Sequence, residues 1–485
     1  MVQELRQADQ PESTSAFQVE ANGINVISDA ERRGTPRQLF WPWFAANVSV
    51  LGLSYGSFAL GFGISFWQAV IVGVVGIGLS FLLCGFIAVA GKRGSAPTMV
   101  LSRAAFGVRG NRLPSLISWM LTVGWETVLT ILSTLATATV FDRLGWGGGA
   151  TTKIIALLVV TALTVAGGVL GFELIMRMQA VITVVTAVLT VVYIIFVASR
   201  IDFSAVSAIP GGSAQNVIGA LVFLMTGFGL GWVNAAADYS RYLPRSSSNR
   251  GVIGWTAFGS SLAPVVLLLF GLLLAGSSSD LNEAIAADPI GALATILPTW
   301  YLVPFALVAV LGLVGGAVMN IYSSGLTLLA VGVRIPRYAA AFVDSIVVVI
   351  GTVYVVFFAG SFLGQFTGFL ITLGVPIAVW CGVMLADIGL RRRDYSEADL
   401  YEPTGRYGDV RWMPIIVVLA GTAIGWGLVT NASADWLRWQ GYLLDPLGLG
   451  GAWSTANLGV LVALVIGFAV TFVFGRARVR AQEVR

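Results

Sequence analysis

Three acids stand inside long apolar stretches of this 485-residue chain: Glu126 in LTVGWETVLTILSTLAT, Asp344, and Asp238 at the end of a further stretch. An acid at the centre of a membrane helix costs about 2.5–3.5 kcal/mol on insertion scales, so such residues face a cavity or a partner. Glu126 lies about halfway along its stretch, beside Trp125. It is suited either to an interhelical hydrogen bond made by a protonated acid or to proton coupling and substrate contact. Asp344 falls near the start of its stretch, where an interfacial position or a pairing with Arg337 is expected. Amides break the apolar pattern as well: Asn47 beside Ser49 in WPWFAANVSVLGLSYG, Asn320 in GLVGGAVMNIYSSGL, and Gln365. The segment GFGLGWVNAAADYSRY, Gly227 to Tyr242, sets three glycines at alternate positions before Trp232. Each glycine weakens a helix by about 1 kcal/mol relative to alanine, so a helix is expected to unwind there.

The elements that must hold these residues follow from composition. Hydrophobic residues make up 57% of the chain and charged residues 11%, against about 25% charged in a soluble protein. The fold class is therefore an all-α integral membrane protein. Runs of about 20 apolar residues, enough to cross the hydrocarbon, occur near 41–65, 67–90, 114–140, 152–171, 178–199, 215–236, 252–276, 300–331, 338–359, 362–386, 412–431 and 452–475. Twelve transmembrane helices are expected. Placing both termini in the cytoplasm puts 24 of the 28 Lys and Arg residues there, leaving Arg143, Lys153, Arg200 and Arg438 outside. That asymmetry supports the orientation, in a plasma (inner) membrane. It also explains the net charge of +4, so no nucleic-acid surface is inferred. Residues 1–40 lack the apolar core of a signal peptide and read as a partly disordered cytoplasmic tail, and 476–485 as a second tail.

Several motifs fail on context. GLSYG (Gly52–Gly56) matches a nucleophile elbow, yet it sits in an apolar helix of a chain with no histidine. GFGLG lacks dinucleotide-loop spacing and any βαβ surroundings. The two cysteines, Cys84 and Cys381, indicate neither a disulfide framework nor a metal cluster. No catalytic residue, metal or cofactor is expected, and the chain is not read as an enzyme.

Taken in order, runs one and six are both glycine-interrupted with polar groups at mid-depth. Runs three and eight, also five apart, hold Trp125–Glu126 and Asn320. Paired broken segments in corresponding halves point to an inverted-repeat transporter with its substrate at the midplane. Irregular backbone at that depth is tolerated only where it lines a cavity or meets protein. Gly227, Gly229 and Gly231 would then free backbone groups to face a ligand. The twelve-helix domain, 41–475, divides into repeat one (41–199), repeat two (215–386) and two extra helices (412–475).

Longer stretches carry a resemblance. GSAPTMVLSRAAFGVRGNRLPSLISWM (94–120), GLGWVNAAADYSRYLPR, NIYSSGL, GFLITLGVPIAVWCGVMLADIGLRRRDY and LYEPTGRYGDVRW together cover most of 36–430. The chain resembles the purine–cytosine permease family of nucleobase–cation symporters. The resemblance implies the amino-acid-transporter fold: a five-plus-five inverted repeat with broken helices one and six, plus two C-terminal helices. It implies a planar heterocycle stacked between Trp125 and Trp232, where stacking on an aromatic contributes about 1–3 kcal/mol per base. Asn320, Asn47, Gly231 and Glu126 would complete the substrate contacts. Leu129 stands where many relatives carry an amide. In sodium-driven members the ion lies between the broken first helix, here Ala46 to Ser49, and hydroxyls of the eighth. VGGAVMN (314–320) offers no hydroxyl before Asn320, which favours H+ over Na+ as coupling ion, carried by Glu126. The implied function is cation-coupled uptake of a nucleobase, cytosine first and purines next, by alternating access. Gly364, Gly368 and Gly374 make the tenth helix a candidate gate. Allantoin, a hydantoin or a vitamin-like heterocycle is the alternative substrate, and a channel or non-transporting sensor the alternative class. The partners implied are the small molecule and the lipid bilayer; oligomeric state is not legible.

Overall fold

Leucine, valine and alanine runs cross hydrocarbon by closing their backbone hydrogen bonds internally, which only helices can do within one segment. The computed structural model describes residues 23–169, 172–359, 362–431 and 435–484, and every predicted run carries helix there, with no strand among the described residues. The expectation for the start of the N-terminal tail lies outside the described residues.

Among the described residues, nine helices are long and apolar enough to span a membrane, eleven if each bent pair counts as one. The first span is such a pair: Pro36–Asn47 and Leu51–Leu60 meet at 67°. The last is another, Gly459–Phe474 followed at 55° by Arg476–Val484. The eleventh run forms a shorter helix, Trp412–Gly427, which at 1.5 Å per residue reaches about 24 Å. The full-length helices begin with the second, Phe66–Gly94, which Ser65 and Gln68 cap reciprocally. The third is Arg112–Arg143, the fourth Ala150–Val169, and the fifth Phe172–Val197. The sixth starts at Ala214, and the seventh is Asn249–Gly276. The eighth is Leu302–Val331, the ninth Arg337–Phe357, and the tenth Phe362–Leu390.

Helices five apart in sequence pack on each other: first on sixth, second on seventh, third on eighth and fourth on ninth. That is the pattern of two interleaved five-helix repeats. The eleventh and twelfth helices pack on the tenth, at the bundle's flank.

One end of the bundle is tied by loops. Val108 and Arg109 donate backbone hydrogen bonds to the Gly408 and Asp409 carbonyls at 2.9 and 2.8 Å. Asp238, at the end of the sixth helix, accepts from the backbone N–H (2.8 Å) and hydroxyl (2.7 Å) of Thr98. Its role is to fasten the 94–111 loop. Arg241 is fully buried and donates to the Tyr242 hydroxyl at 3.0 Å and the Tyr322 hydroxyl at 2.9 Å. Residues 23–33 lie across the same end, where Ile27 N–H reaches the Ser95 carbonyl at 2.8 Å.

Candidate functional site

The sixth helix unwinds where its glycines predict. Regular α-helix runs from Ala214 to Gly227, gives way to 3-10 turns over Gly229–Gly231 and Val233–Ala235, and resumes over Ala236–Ser240. The three glycines adopt no positive φ; what they supply is room. A Cβ at Gly229 would stand 2.1 Å from the Ser80 backbone, and one at Gly231 would stand 2.7 Å from Trp125 Nε1. The freed backbone groups do not face a ligand at Gly227 and Gly229, contrary to expectation. The Tyr55 hydroxyl donates to the Gly227 carbonyl at 3.1 Å, and Gly229 N–H donates to Ser80 Oγ at 3.1 Å. Cys84 Sγ–H points to the Gly229 carbonyl at 3.1 Å. Buried backbone groups are almost always paired, and here side chains of the first two helices do it.

Trp125 and Trp232 flank this unwound segment from different directions. The Trp125 indole lies against Gly231 and takes edge-on contacts from Phe366 at 5.7 Å and Phe369 at 5.9 Å. Its Nε1–H is buried with no acceptor. Trp232 is partly exposed and meets Trp43 edge-on at 5.7 Å, and Trp43 in turn meets Tyr239 at 5.5 Å. Asn320 donates from Nδ2 to the Gly316 carbonyl at 3.1 Å, while its Oδ1 is buried without a donor.

Sequence reasoning passed over two further groups. The Trp43 Nε1 donor and the Asn234 Oδ1 acceptor are likewise buried and unpartnered. Asn234 spends its amide N–H on Ser118 Oγ at 2.7 Å. Its position in GWVNAAAD, two residues after Trp232, was the available signal. An orphaned buried donor or acceptor costs about 1–3 kcal/mol. The first, third, sixth and eighth helices thus each carry one such atom, two indole donors and two amide acceptors in all.

The first helix breaks at Val48, with φ −83° and ψ 82°. Asn47 turns back to donate to the Trp43 carbonyl at 2.8 Å, and Ser49 Oγ accepts from Leu51 N–H at 3.3 Å. Asn47, Ala46 and Ser49 are partly exposed. The eighth helix faces this break with glycines. A Cβ at Gly316 would lie 3.5 Å from the Ala46 carbonyl oxygen, and one at Gly312 would lie 3.2 Å from that of Val48. No hydroxyl of the eighth helix stands at those two positions. Among the described residues no group of three or more His, Cys, Asp or Glu gathers to hold a metal.

Glu126 is 1% exposed, and neither carboxyl oxygen has a hydrogen-bond partner of good geometry. Asp344 is completely buried inside the bundle. It accepts from Trp119 Nε1–H at 2.7 Å and from the Ser324 hydroxyl at 2.7 Å. The pairing with Arg337 concerns a side chain outside the described residues. Hydropathy places Asp344 in depth along its helix but is silent about which side it faces, and it faces inward.

A cavity of about 690 Å³ lies between the third, ninth, tenth and eleventh helices, lined by Thr127, Gln365, Phe366, Phe369, Trp426 and others. Trp125, Trp232, Asn320 and Glu126 do not line it. It is mostly apolar, and two of its lining residues, Phe366 and Phe369, pack on Trp125.

Comparison with known proteins gives a consistent picture. Residues 26–443 match the family model described as permease for cytosine/purines, uracil, thiamine, allantoin. YxlA of Bacillus subtilis, a provisionally named purine-cytosine permease, is 24% identical over 82% of this chain and 86% of its own. The cytosine permease of Escherichia coli O157:H7 is 26% identical over 79% of this chain and 85% of its own. Among solved structures, MHP1 superposes with a TM-score of 0.67 at 18% identity, covering 97% of this chain and 100% of that one. That structure is described as a nucleobase-cation-symport-1 family transporter in a closed conformation with bromovinylhydantoin bound. At that identity the likeness is one of fold.

Proposed function

This chain belongs to the family of permeases for cytosine/purines, uracil, thiamine and allantoin, and from that premise we propose that it is a cation-coupled symporter that takes up a nucleobase. It is a multi-pass membrane transport protein and not an enzyme. Cytosine is the leading substrate and purines come next; an allantoin-, hydantoin- or vitamin-like heterocycle on the same fold is the second reading. We place the protein in the plasma (inner) membrane with both termini cytoplasmic, on the bias of its Lys and Arg residues.

The observation that carries the reading is a set of buried, unpartnered polar atoms on the unwound sixth helix and on helices that pack around it. Trp43 and Trp125 offer Nε1–H donors, and Asn234 and Asn320 offer Oδ1 acceptors. A planar heterocycle stacks on an indole face and pairs its edge with such atoms. In the proposed mechanism Trp125 and Trp232 hold the rings, Asn320 and Asn47 read the edge, and Gly231 lets the plane lie close. Alternating access then rocks the bundle around this midplane site.

For the coupling ion, the glycines that the eighth helix turns toward Ala46 and Val48 favour H+ over Na+. Glu126 is the proton carrier. A buried carboxylate without donors is costly, so the arrangement suits a neutral acid that gives up its proton once per cycle. Thermal melting of the purified protein with a panel of cytosine, purines, allantoin and thiamine tests the substrate. A ligand at about 100 times its Kd stabilises by about 2.7 kcal/mol. A rise with cytosine and none with thiamine supports the leading reading. A rise with thiamine alone selects the second.

A further inference from the structure

The tenth helix, Phe362–Leu390, carries a proline in its interior, Pro376. Proline has no backbone N–H, so the carbonyl four residues earlier loses its usual helical donor. That carbonyl belongs to Thr372. It is not left empty: Trp426, at the end of the eleventh helix, donates its indole Nε1–H to it at 2.8 Å. The hydroxyl of the same threonine accepts from Gln440 Nε2 at 3.1 Å. A segment outside the two interleaved five-helix repeats therefore supplies the bond that the tenth helix cannot make for itself.

That segment holds its donors in place. Gly441 N–H donates to the Trp426 carbonyl and Leu443 N–H to that of Gly427, each at 2.9 Å, so the following loop folds back on the end of the eleventh helix. Trp439 meets the Trp426 ring edge-on at 5.3 Å. One turn before Thr372, Asn431 lies against Gly368, and neither polar atom of its amide has a hydrogen-bond partner. The polar hold on this side of the helix is thus concentrated at Thr372. Phe366 and Phe369, the rings packed on Trp125, lie on the stretch of helix that runs up to it. The cavity of about 690 Å³ borders Phe366, Phe369, Thr372, Pro376 and Trp426, which leaves the half of the helix before Pro376 room to swing.

We propose that Trp426 is a positioning residue for transport: its indole N–H latches the tenth helix at the carbonyl that Pro376 frees, and so sets how firmly Phe366 and Phe369 close on Trp125. This rests on the reading of Trp125 as a substrate contact. Releasing the heterocycle past these rings then requires the bond to be given up. The eleventh helix and the loop after it act as the post that holds the gate.

The test is hydrogen exchange of the purified full-length protein, read separately over residues 363–372 and 377–390, together with the dissociation rate of labelled cytosine. Trp426→Phe keeps a ring and removes the donor. It is expected to speed exchange over 363–372 and cytosine release by about two- to tenfold each, the scale of one net hydrogen bond, with 377–390 within about twofold of wild type. Pro376→Ala restores an amide that reaches the Thr372 carbonyl, so adding Trp426→Phe to it is expected to change neither rate. Exchange over 363–372 that Trp426→Phe leaves unchanged, or raises equally along the whole helix, overturns the latch. An effect of Trp426→Phe that persists in full beside Pro376→Ala overturns it as well. Faster exchange with unchanged cytosine release overturns the hold on the gate. Faster exchange over 363–372 alone, in a protein whose wild type binds no cytosine, supports the latch and overturns the substrate reading instead. Where Pro376→Ala does not fold, Trp426→Phe decides alone.

Discussion

At the scale of single residues, the account rests on side chains that are buried and incompletely bonded. Trp125 sets its indole beside Gly231 and leaves its Nε1–H unspent. Trp125→Ala should weaken cytosine binding by about 1–3 kcal/mol, or about 5- to 150-fold in Kd, the range for one base–aromatic stack. Trp125→Phe should recover part of that loss. Equilibrium binding to the purified variants checks both. Glu126→Gln keeps the shape of the acid and removes its proton; it should abolish pH-driven accumulation while the protein still folds and exchanges substrate. Size-exclusion behaviour together with gradient-driven uptake separates those two outcomes.

At the scale of elements, the unwound sixth helix is positioned by what its glycines admit. Gly229→Ala would put a Cβ 2.1 Å from the backbone of the second helix. Because that neighbour is backbone and cannot rotate away, the variant should be destabilised by about 1–3 kcal/mol, read as a lowered melting temperature. The breaks themselves were legible, since Asn47–Ser49 and Gly227–Gly231 interrupt apolar runs at matching places in the two repeats. The use of the glycines was not. Spacing reveals a weak helix, but only the fold shows Tyr55, Ser80 and Cys84 arriving to take the freed groups. Asp344 was unreadable for a related reason. Its depth follows from its place in the run, whereas its direction depends on which neighbours the ninth helix meets. Trp43 and Asn234 stood in plain view as a lone aromatic and a lone amide. They gain meaning only once the fold shows that Trp43 Nε1 and Asn234 Oδ1 are buried without partners.

At the scale of the whole molecule, packing between helices five apart forms a core around the midplane. The loops and C-terminal helix brace one end. The tenth helix is anchored there by Asp387, which pairs with Arg391 at 2.6 Å and Arg478 at 2.9 Å. Arg391 also donates to Gln482 at 2.7 Å. Removing one partner of a buried ion pair costs about 3–5 kcal/mol. Asp387→Ala should therefore lower the melting temperature markedly more than Arg438→Ala, whose ion pair with Asp435 is exposed. Farther along, the tenth helix lays Phe366 and Phe369 over Trp125, which is where a gate over the heterocycle would sit. Gly374 serves close packing, because a Cβ there would meet Thr226 at 2.8 Å.

The central claim is proton-coupled uptake of a nucleobase, and the most direct measurement is labelled cytosine uptake into proteoliposomes under an imposed proton gradient or an imposed sodium gradient. The account predicts saturable accumulation with the inward proton gradient, and no accumulation with sodium alone. Accumulation driven by sodium at uniform pH would contradict it, and would move the coupling site from Glu126 to the break between Ala46 and Ser49.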